Sequence, residues 1–265
     1  HNARLGLIHQ SHFLRHPAFA AKMTATLDQI TNGRFIYFID GGNAAHEYKA
    51  YGMEWYDEPE KRIKRMLDGL ELTKQMWTSP DPVTYVGHYY QATNAVNQPQ
   101  PIQKPHPPVW FGEAYPLTLE ATAKQGNGWN SAPVPRAELV RRLTALEDEC
   151  QKIDRSYDDI EKSYETQILI AEDMPSLRQK IQQLLDLAPD GDEADAELKA
   201  FANGTTDIIP DSLSATFIVG TTDMVKEQIQ GYIDLGITHF LLWFMDVPDD
   251  AGLKLFIEQV APEFR

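Results

Sequence analysis

Positive charge is scarce in this chain: 24 Lys and Arg stand against 39 Asp and Glu, a formal net charge of -15 over 265 residues. Such a surface repels phosphate backbones and anionic headgroups, which argues against nucleic-acid and membrane-surface partners. Cysteine is nearly absent. Cys150 is the only one, so no disulfide can form within the chain. Its neighbours Glu147, Asp148 and Glu149 supply none of the positive charge that makes a reactive thiolate, and it reads as a small apolar residue of a helix. Long apolar runs are missing too. The longest, Phe240 to Met245, is far too short to span a bilayer, and the opening His1-Asn2-Ala3-Arg4 has no signal-peptide form. A reducing cytoplasm is the expected location. No HExxH, Walker, dinucleotide or GxSxG pattern occurs, so no metal site is expected and serine-hydrolase chemistry has no motif to rest on.

What is present is an alternation of short buried strands and amphipathic helices. Leu5 to His9 and Phe35 to Ile39 are apolar runs of strand length. Between them Pro17 opens a helix with Ala20, Met23, Leu27 and Ile30 on one face, and Asn32-Gly33 closes it. A helix follows over Glu60–Trp77 with Ile63, Leu67, Leu70 and Trp77 inward. Val83 to Tyr90 reads as a hairpin, and Pro99, Pro101, Pro105, Pro107 and Pro108 stiffen an extended run into the strand Val109–Phe111. Helices are predicted over Leu117–Lys124, Arg136–Asp154, Ser176–Leu187 and Gly252–Val260, with one capped by Thr222-Asp223. Strands are predicted at Gly128–Asn130, Thr166–Ala171 and His239–Phe244. Residues 189–211, with Asp190, Asp192, Glu193, Asp195 and Glu197, read as a solvated acidic insertion in an otherwise single domain over 1–265. About six β/α units imply a parallel sheet covered by helices. A doubly wound sheet and a closed barrel both satisfy that pattern.

In either architecture ligands sit at the carboxyl ends of the strands, so the residues just after each strand matter most. Gln10-Ser11-His12 follows the first strand and offers polar groups to a ring edge, although His9 and His12, each taken alone, read first as core or loop histidines, and His16 as fixing the start of the helix. Asp40-Gly41-Gly42-Asn43 follows the second. Its glycines expose backbone amides that suit an oxyanion such as phosphate, or simply make a tight turn. Gly112-Glu113-Ala114-Tyr115-Pro116-Leu117-Thr118 is again strand, glycine and helix start, either an anion site at a helix N-terminus or ordinary capping. Glu113 beside such a site would repel phosphate unless its side chain points away. Trp129 in Gly128-Trp129-Asn130 either walls a flat ligand or belongs to the core.

Together these segments resemble the luciferase-like monooxygenase family. Arg15-His16-Pro17, Ala21-Lys22, Thr26-Leu27-Asp28 and Asn32-Gly33-Arg34-Phe35 are similar to a helix and the following strand of that family. Glu47-Tyr48, Tyr51-Gly52, Val86-Gly87-His88-Tyr89-Tyr90, Gln103-Lys104-Pro105-His106-Pro107-Pro108, Gly128-Trp129-Asn130 and Gly236-Ile237-Thr238-His239-Phe240 follow in the family's order. The resemblance implies a (β/α)8 TIM barrel of the bacterial-luciferase-like type, with two β/α units of the family pattern lying before His1. The chain is then a fragment, or another chain completes the barrel.

The implied activity is that of a flavin-dependent oxidoreductase, foremost a monooxygenase using reduced FMN and O2 on a small organic substrate. The alternatives are a deazaflavin-dependent dehydrogenase or reductase, and a non-catalytic barrel subunit. By resemblance, Gln10 lies against the ring system and the Ile8–His9 bond is a cis peptide behind it. Gly41, Gly42, Asn43, Gly112, Tyr115 and Thr118 lie near the coenzyme phosphate, with Arg62 a lesser candidate. A catalytic residue is not assigned, since the family places one on a strand before His1. A separate flavin reductase and a homodimer are the partners the family implies. Glu113 and Tyr115 depart from the family's usual second glycine and serine.

Overall fold

The computed structural model describes residues 3–8, 10–187 and 196–264, and it divides into two compact units, residues 1–130 with 143–161 and residues 131–142 with 162–265. In the first unit, strands β1 (Leu5–Gly6), β2 (Phe35–Ile39), β5 (Val109–Gly112) and β6 (Gly128–Ser131) run in parallel in that spatial order. The hairpin strands β3 (Val83–Val86) and β4 (Gln91–Ala95) form a separate antiparallel pair.

All five residues of β2 are buried, because both faces of the sheet are covered. Phe35, Tyr37 and Ile39 pack with residues of helices α1 (Pro17–Ile30), α3 (Pro59–Thr78) and α4 (Pro116–Gln125). Ile36 and Phe38 turn the other way, onto Trp110 and Ile8. This two-sided burial is why these strands read as continuous apolar runs rather than alternating ones. A side chain on Gly128 would put its Cβ 2.3 Å from the Trp110 indole, so glycine there lets the indole lie on the next strand.

Helix ends follow local chemistry. His16 caps α1, its Nδ1 accepting from the Ala18 amide at 3.2 Å, and Pro17 takes the first helical position. Asn32 (φ 54°) and Gly33 (φ 73°) end that helix in the left-handed region. Helix α3 buries Ile63, Met66, Leu70, Thr73 and Trp77 along one stripe, and Trp77 donates its Nε1–H to the Ala21 carbonyl at 3.0 Å. Several segments behind the family resemblance have structural roles. Asp28 accepts from the Gln103 amide at 2.9 Å and from Gln103 Nε2 at 2.7 Å. Asp68 of α3 accepts the amides of His88, Tyr89 and Tyr90 and the Tyr85 hydroxyl, at 2.8–3.1 Å. Burial would raise the Asp68 carboxyl, but these donors outweigh it and hold it below the ordinary carboxylate range.

In the second unit β7 (Glu161–Ala171) pairs in parallel with β8 (Ile218–Thr221) through Ile168–Ala171 and with β9 (His239–Phe244) through Ser163–Ile168. Helix α6 (Met174–Leu187) and helix α9 (Thr222–Ile233) accompany them. Tyr164 stacks on Tyr232 with ring centroids 4.6 Å apart, and its hydroxyl donates towards the carbonyls of Val134 and Thr216.

Several boundaries differ from the sequence expectations. β7 begins at Glu161 rather than Thr166 because Lys162, Ser163 and Thr166, polar as they are, lie buried in the strand. β8 was not expected, and Thr221 rather than Thr222 is the cap residue of α9. The last helix runs over Ala251–Leu255 and then widens into a π turn at Phe256–Val260. Of the acidic insertion, Asp190, Asp192, Glu193 and Asp195 lie outside the described residues. Its remainder is not simply solvated: Ala196–Ala202 is helical and buries Phe201 completely. Cys150 is fully buried in the helix Arg136–Gln151. No helix of the described residues is long and apolar enough to cross a membrane.

Candidate functional site

Parallel pairing brings the expected residues of the first unit to one end of its sheet. Ser11 bridges Asp40, Ile39 pairs with Phe111, and Gly112 pairs with Asn130. The residues just beyond these pairs are Gly41-Gly42-Asn43 after β2 and Glu113-Ala114-Tyr115 after β5. A Cβ on Gly41 would lie 3.6 Å from Glu113 Oε2, and one on Gly112 would lie 3.7 Å from Asp40 Cβ. The two turns are therefore direct neighbours at the carboxyl ends of β2 and β5.

The first turn is held from below. Gly42 (φ 75°) donates its amide to Asp40 Oδ1 at 2.8 Å, a turn in which the aspartate side chain replaces a backbone acceptor. A Cβ at Gly42 would fall 2.7 Å from Tyr48 Oη and 2.8 Å from Ser11 Oγ, and those two hydroxyls are hydrogen-bonded to each other. Burial raises the Tyr48 phenol, while its bond to Ser11 acts the other way. Arg62 of α3, almost fully buried, donates Nε–H to the Gly42 carbonyl at 3.1 Å and Nη1–H to the carbonyls of Tyr56 and Asp57. Its guanidinium lies 4.5 Å from the Trp55 ring centroid. Three of its N–H bonds thus go to backbone, which makes Arg62 a brace of the turn more than a phosphate ligand. Asn43 is exposed on the rim, and Gln10 is half-buried beside Ser11.

The second turn opens onto the N-terminus of α4. Tyr115 occupies the cap position and is 40% exposed. Its carbonyl already accepts the amides of Thr118 and Leu119, and Pro116 has no N–H, so the Leu117 amide is the first-turn donor that faces out of the helix. Thr118 is buried, and its Oγ1 has no hydrogen-bond partner among the described residues. A buried hydroxyl left so costs about 1–3 kcal/mol unless something else supplies the partner. Beside this helix start, Glu60, Ile63, Tyr115, Pro116 and Leu117 line a cavity of about 270 Å³. Gly112 carries the Phe38 ring against it, 3.3 Å from where its Cβ would be.

Two other expectations resolve into structure. Trp129 is fully buried and donates Nε1–H to the Glu113 carbonyl at 2.8 Å, so it belongs to the core and fixes the turn instead of walling a ligand. His12 lies against α3 and edge-on to Tyr90, 5.9 Å between ring centroids. Burial, with Arg65 adding to it, pushes its pKa down to about 4. The expected Ile8–His9 cis bond lies outside the described residues. The Asp40 bond to Gly42 and the Ser11–Tyr48 pair were not singled out from sequence, although Asp-Gly-Gly is itself a turn signature.

The profile of the luciferase-like monooxygenase family matches residues 4–239. The chain belongs to that family. Among its relatives is an F420-dependent glucose-6-phosphate dehydrogenase of Microbacterium testaceum, 26% identical over 96% of this chain and 75% of the relative. Another is an FMNH2-dependent dimethylsulfone monooxygenase of Pseudomonas putida, 34% identical but over only 36% of this chain and 26% of its own length. The fold is that of the luciferase-like (β/α)8-type barrels. An F420-dependent secondary alcohol dehydrogenase in complex with an F420–acetone adduct superposes with a TM-score of 0.77 at 20% identity, covering 99% of this chain and 79% of that one. The family thus contains oxidoreductases of two coenzyme types, F420-dependent and FMNH2-dependent.

Proposed function

We propose that this chain is an oxidoreductase that grips a phosphorylated isoalloxazine-type coenzyme, reduced FMN or a deazaflavin, at the carboxyl ends of β2 and β5. One observation carries the reading: two amide-bearing turns, at Gly41–Asn43 and at Tyr115–Thr118, stand side by side at the ends of β2 and β5, and the second ends on a buried Thr118 hydroxyl that has no partner among the described residues. The Leu117 amide, Thr118 Oγ1 and the backbone of Gly41 would meet the phosphate end, and Gln10 would meet the ring edge. When bound, the coenzyme supplies two-electron redox chemistry; the chain's part is to anchor the phosphate, orient the ring and keep water away.

Two finer readings stand side by side. A monooxygenase using reduced FMN and O2, served by a separate reductase, is supported by the higher identity to the dimethylsulfone monooxygenase. A deazaflavin-dependent dehydrogenase is supported by the match to the F420-dependent enzyme along nearly the whole chain. Thr118→Val tests the shared claim. It removes the hydroxyl and keeps the shape, so the unliganded protein should melt at the same or a higher temperature. Coenzyme affinity, read from fluorescence quenching, should drop about fivefold to tenfold, the worth of one hydrogen bond. An affinity unchanged by the substitution would remove Thr118 from the site.

A further inference from the structure

In the second unit a cavity of about 470 Å³ opens between α6 and the turn that follows β9. Lys180, Leu184 and Leu187 recur at the spacing of one helix face, and all three line it. Met245, Val247 and Pro248 line it from beyond β9, with Leu169 of β7. Leu184 and Met245 also pack against the buried cluster around Leu169, so the walls are mostly apolar. The polar centre is one ion pair, Lys180 with Asp246, whose side chains are 18% and 10% exposed. Asp246 is held by one oxygen only. Its Oδ2 takes the Lys180 ammonium and the Gly252 amide, the latter at 3.0 Å. Glycine is needed at 252 for this, since a Cβ would fall 2.6 Å from Oδ2 and 2.9 Å from Oδ1. Oδ1 is buried and has no hydrogen-bond partner among the described residues. A buried acceptor left so is unfavourable until something supplies a donor.

We infer that this cavity binds a neutral amphiphile, a small apolar molecule with a hydroxyl that donates to Asp246 Oδ1. Lys180 already matches the charge of Asp246, so what Oδ1 lacks is a donor and not a cation. An ammonium placed there would meet the Lys180 ammonium. An anion would meet the carboxylates of Asp186 and Asp249, which line the same cavity. A neutral donor meets neither penalty. The Lys180 ammonium has N–H groups to spare beside the one on Oδ2, so a hydroxyl, which donates and accepts, suits the pair better than a donor alone. Apolar walls supply most of the binding and the few polar groups orient the ligand, as in other small-molecule sites. None of these residues belongs to the turns beyond β2 and β5, so the inference does not depend on the coenzyme reading.

The test compares two isomers, n-hexanol and dipropyl ether, as probes in NMR titrations that follow the Met245 and Leu184 methyl groups. The ether has the same atoms but no O–H to give. Hexanol should shift those methyls saturably and bind roughly fivefold to tenfold more tightly than the ether, as one added hydrogen bond gives. Asp246→Asn keeps the shape, leaves an oxygen for Lys180 and Gly252, and turns the other position into a donor, so the preference for hexanol should vanish. Leu187 is exposed, and replacing it spares the fold if the first variant does not. Leu187→Asn should weaken both isomers by a similar factor, about threefold, and keep the preference. Equal affinities in the wild type, shifts that never saturate, affinities untouched by Leu187→Asn, or a preference that survives Asp246→Asn would each overturn the inference and leave Oδ1 to water.

Discussion

The two glycines after β2 are there for different reasons. Gly42 is imposed by the protein: its φ of 75° is a conformation that side chains avoid, and a Cβ would strike Tyr48 and Ser11. Gly41 is not. A Cβ there would meet Ile63, Glu113 and Arg62 at 3.5–3.8 Å, ordinary contact distances. A glycine that the fold does not need leaves its backbone open to a ligand. Gly42→Ala should therefore lower stability by about 1–3 kcal/mol, read as a fall in the denaturation midpoint. Gly41→Ala should leave stability unchanged or raise it by up to about 1 kcal/mol, yet weaken coenzyme binding. Equal losses of stability in the two variants would contradict this division. At this scale the sequence shows that a glycine turn stands at a strand end. It does not show that Asp40 has already claimed one of the turn's amides, or that Glu113 leans over it, because side-chain direction depends on partners brought in by other strands.

Among elements, those with two covered faces were the most legible. Phe35–Ile39 and Val109–Gly112 are apolar throughout because helices cover one side and Trp110, Phe38 and Ile36 meet on the other. The helix Ala45–Ala50 has no apolar stripe to betray it, since Tyr48 is its one buried residue. The first half of β7 hid behind Lys162 and Ser163, which are polar residues in buried positions. The segment after β1 owes its seat on α3 to His12, whose imidazole lies where any side chain on Gly69 would be. That burial has a pH signature. With the folded value near 4 against 6.5, the unfolded chain takes up a proton below pH 6.5 that the folded chain refuses. Stability from His12 is thus full above pH 6.5 and falls as the pH drops towards 4, by up to about 3 kcal/mol. Denaturation midpoints at pH 8 and pH 5 should converge in His12→Leu relative to the wild type. The same pH slope in both proteins would show that His12 does not carry it.

For the whole molecule, the order of weak motifs carried more than any one of them. Asp28 with Gln103, and Asp68 with the Val86–Tyr90 hairpin, are pairings that make the motifs hang together, and they hold elements in place. Family membership therefore says most about the scaffold. The coenzyme claim rests on a smaller patch of chain, the two turns beyond β2 and β5. A structure of the protein soaked with FMN or with F420 tests that claim most directly. The account predicts a phosphate within hydrogen-bonding distance of Thr118 Oγ1 and the Leu117 amide, against the backbone of Gly41. A phosphate bound at any other place, with Thr118 Oγ1 still lacking a partner, would contradict it.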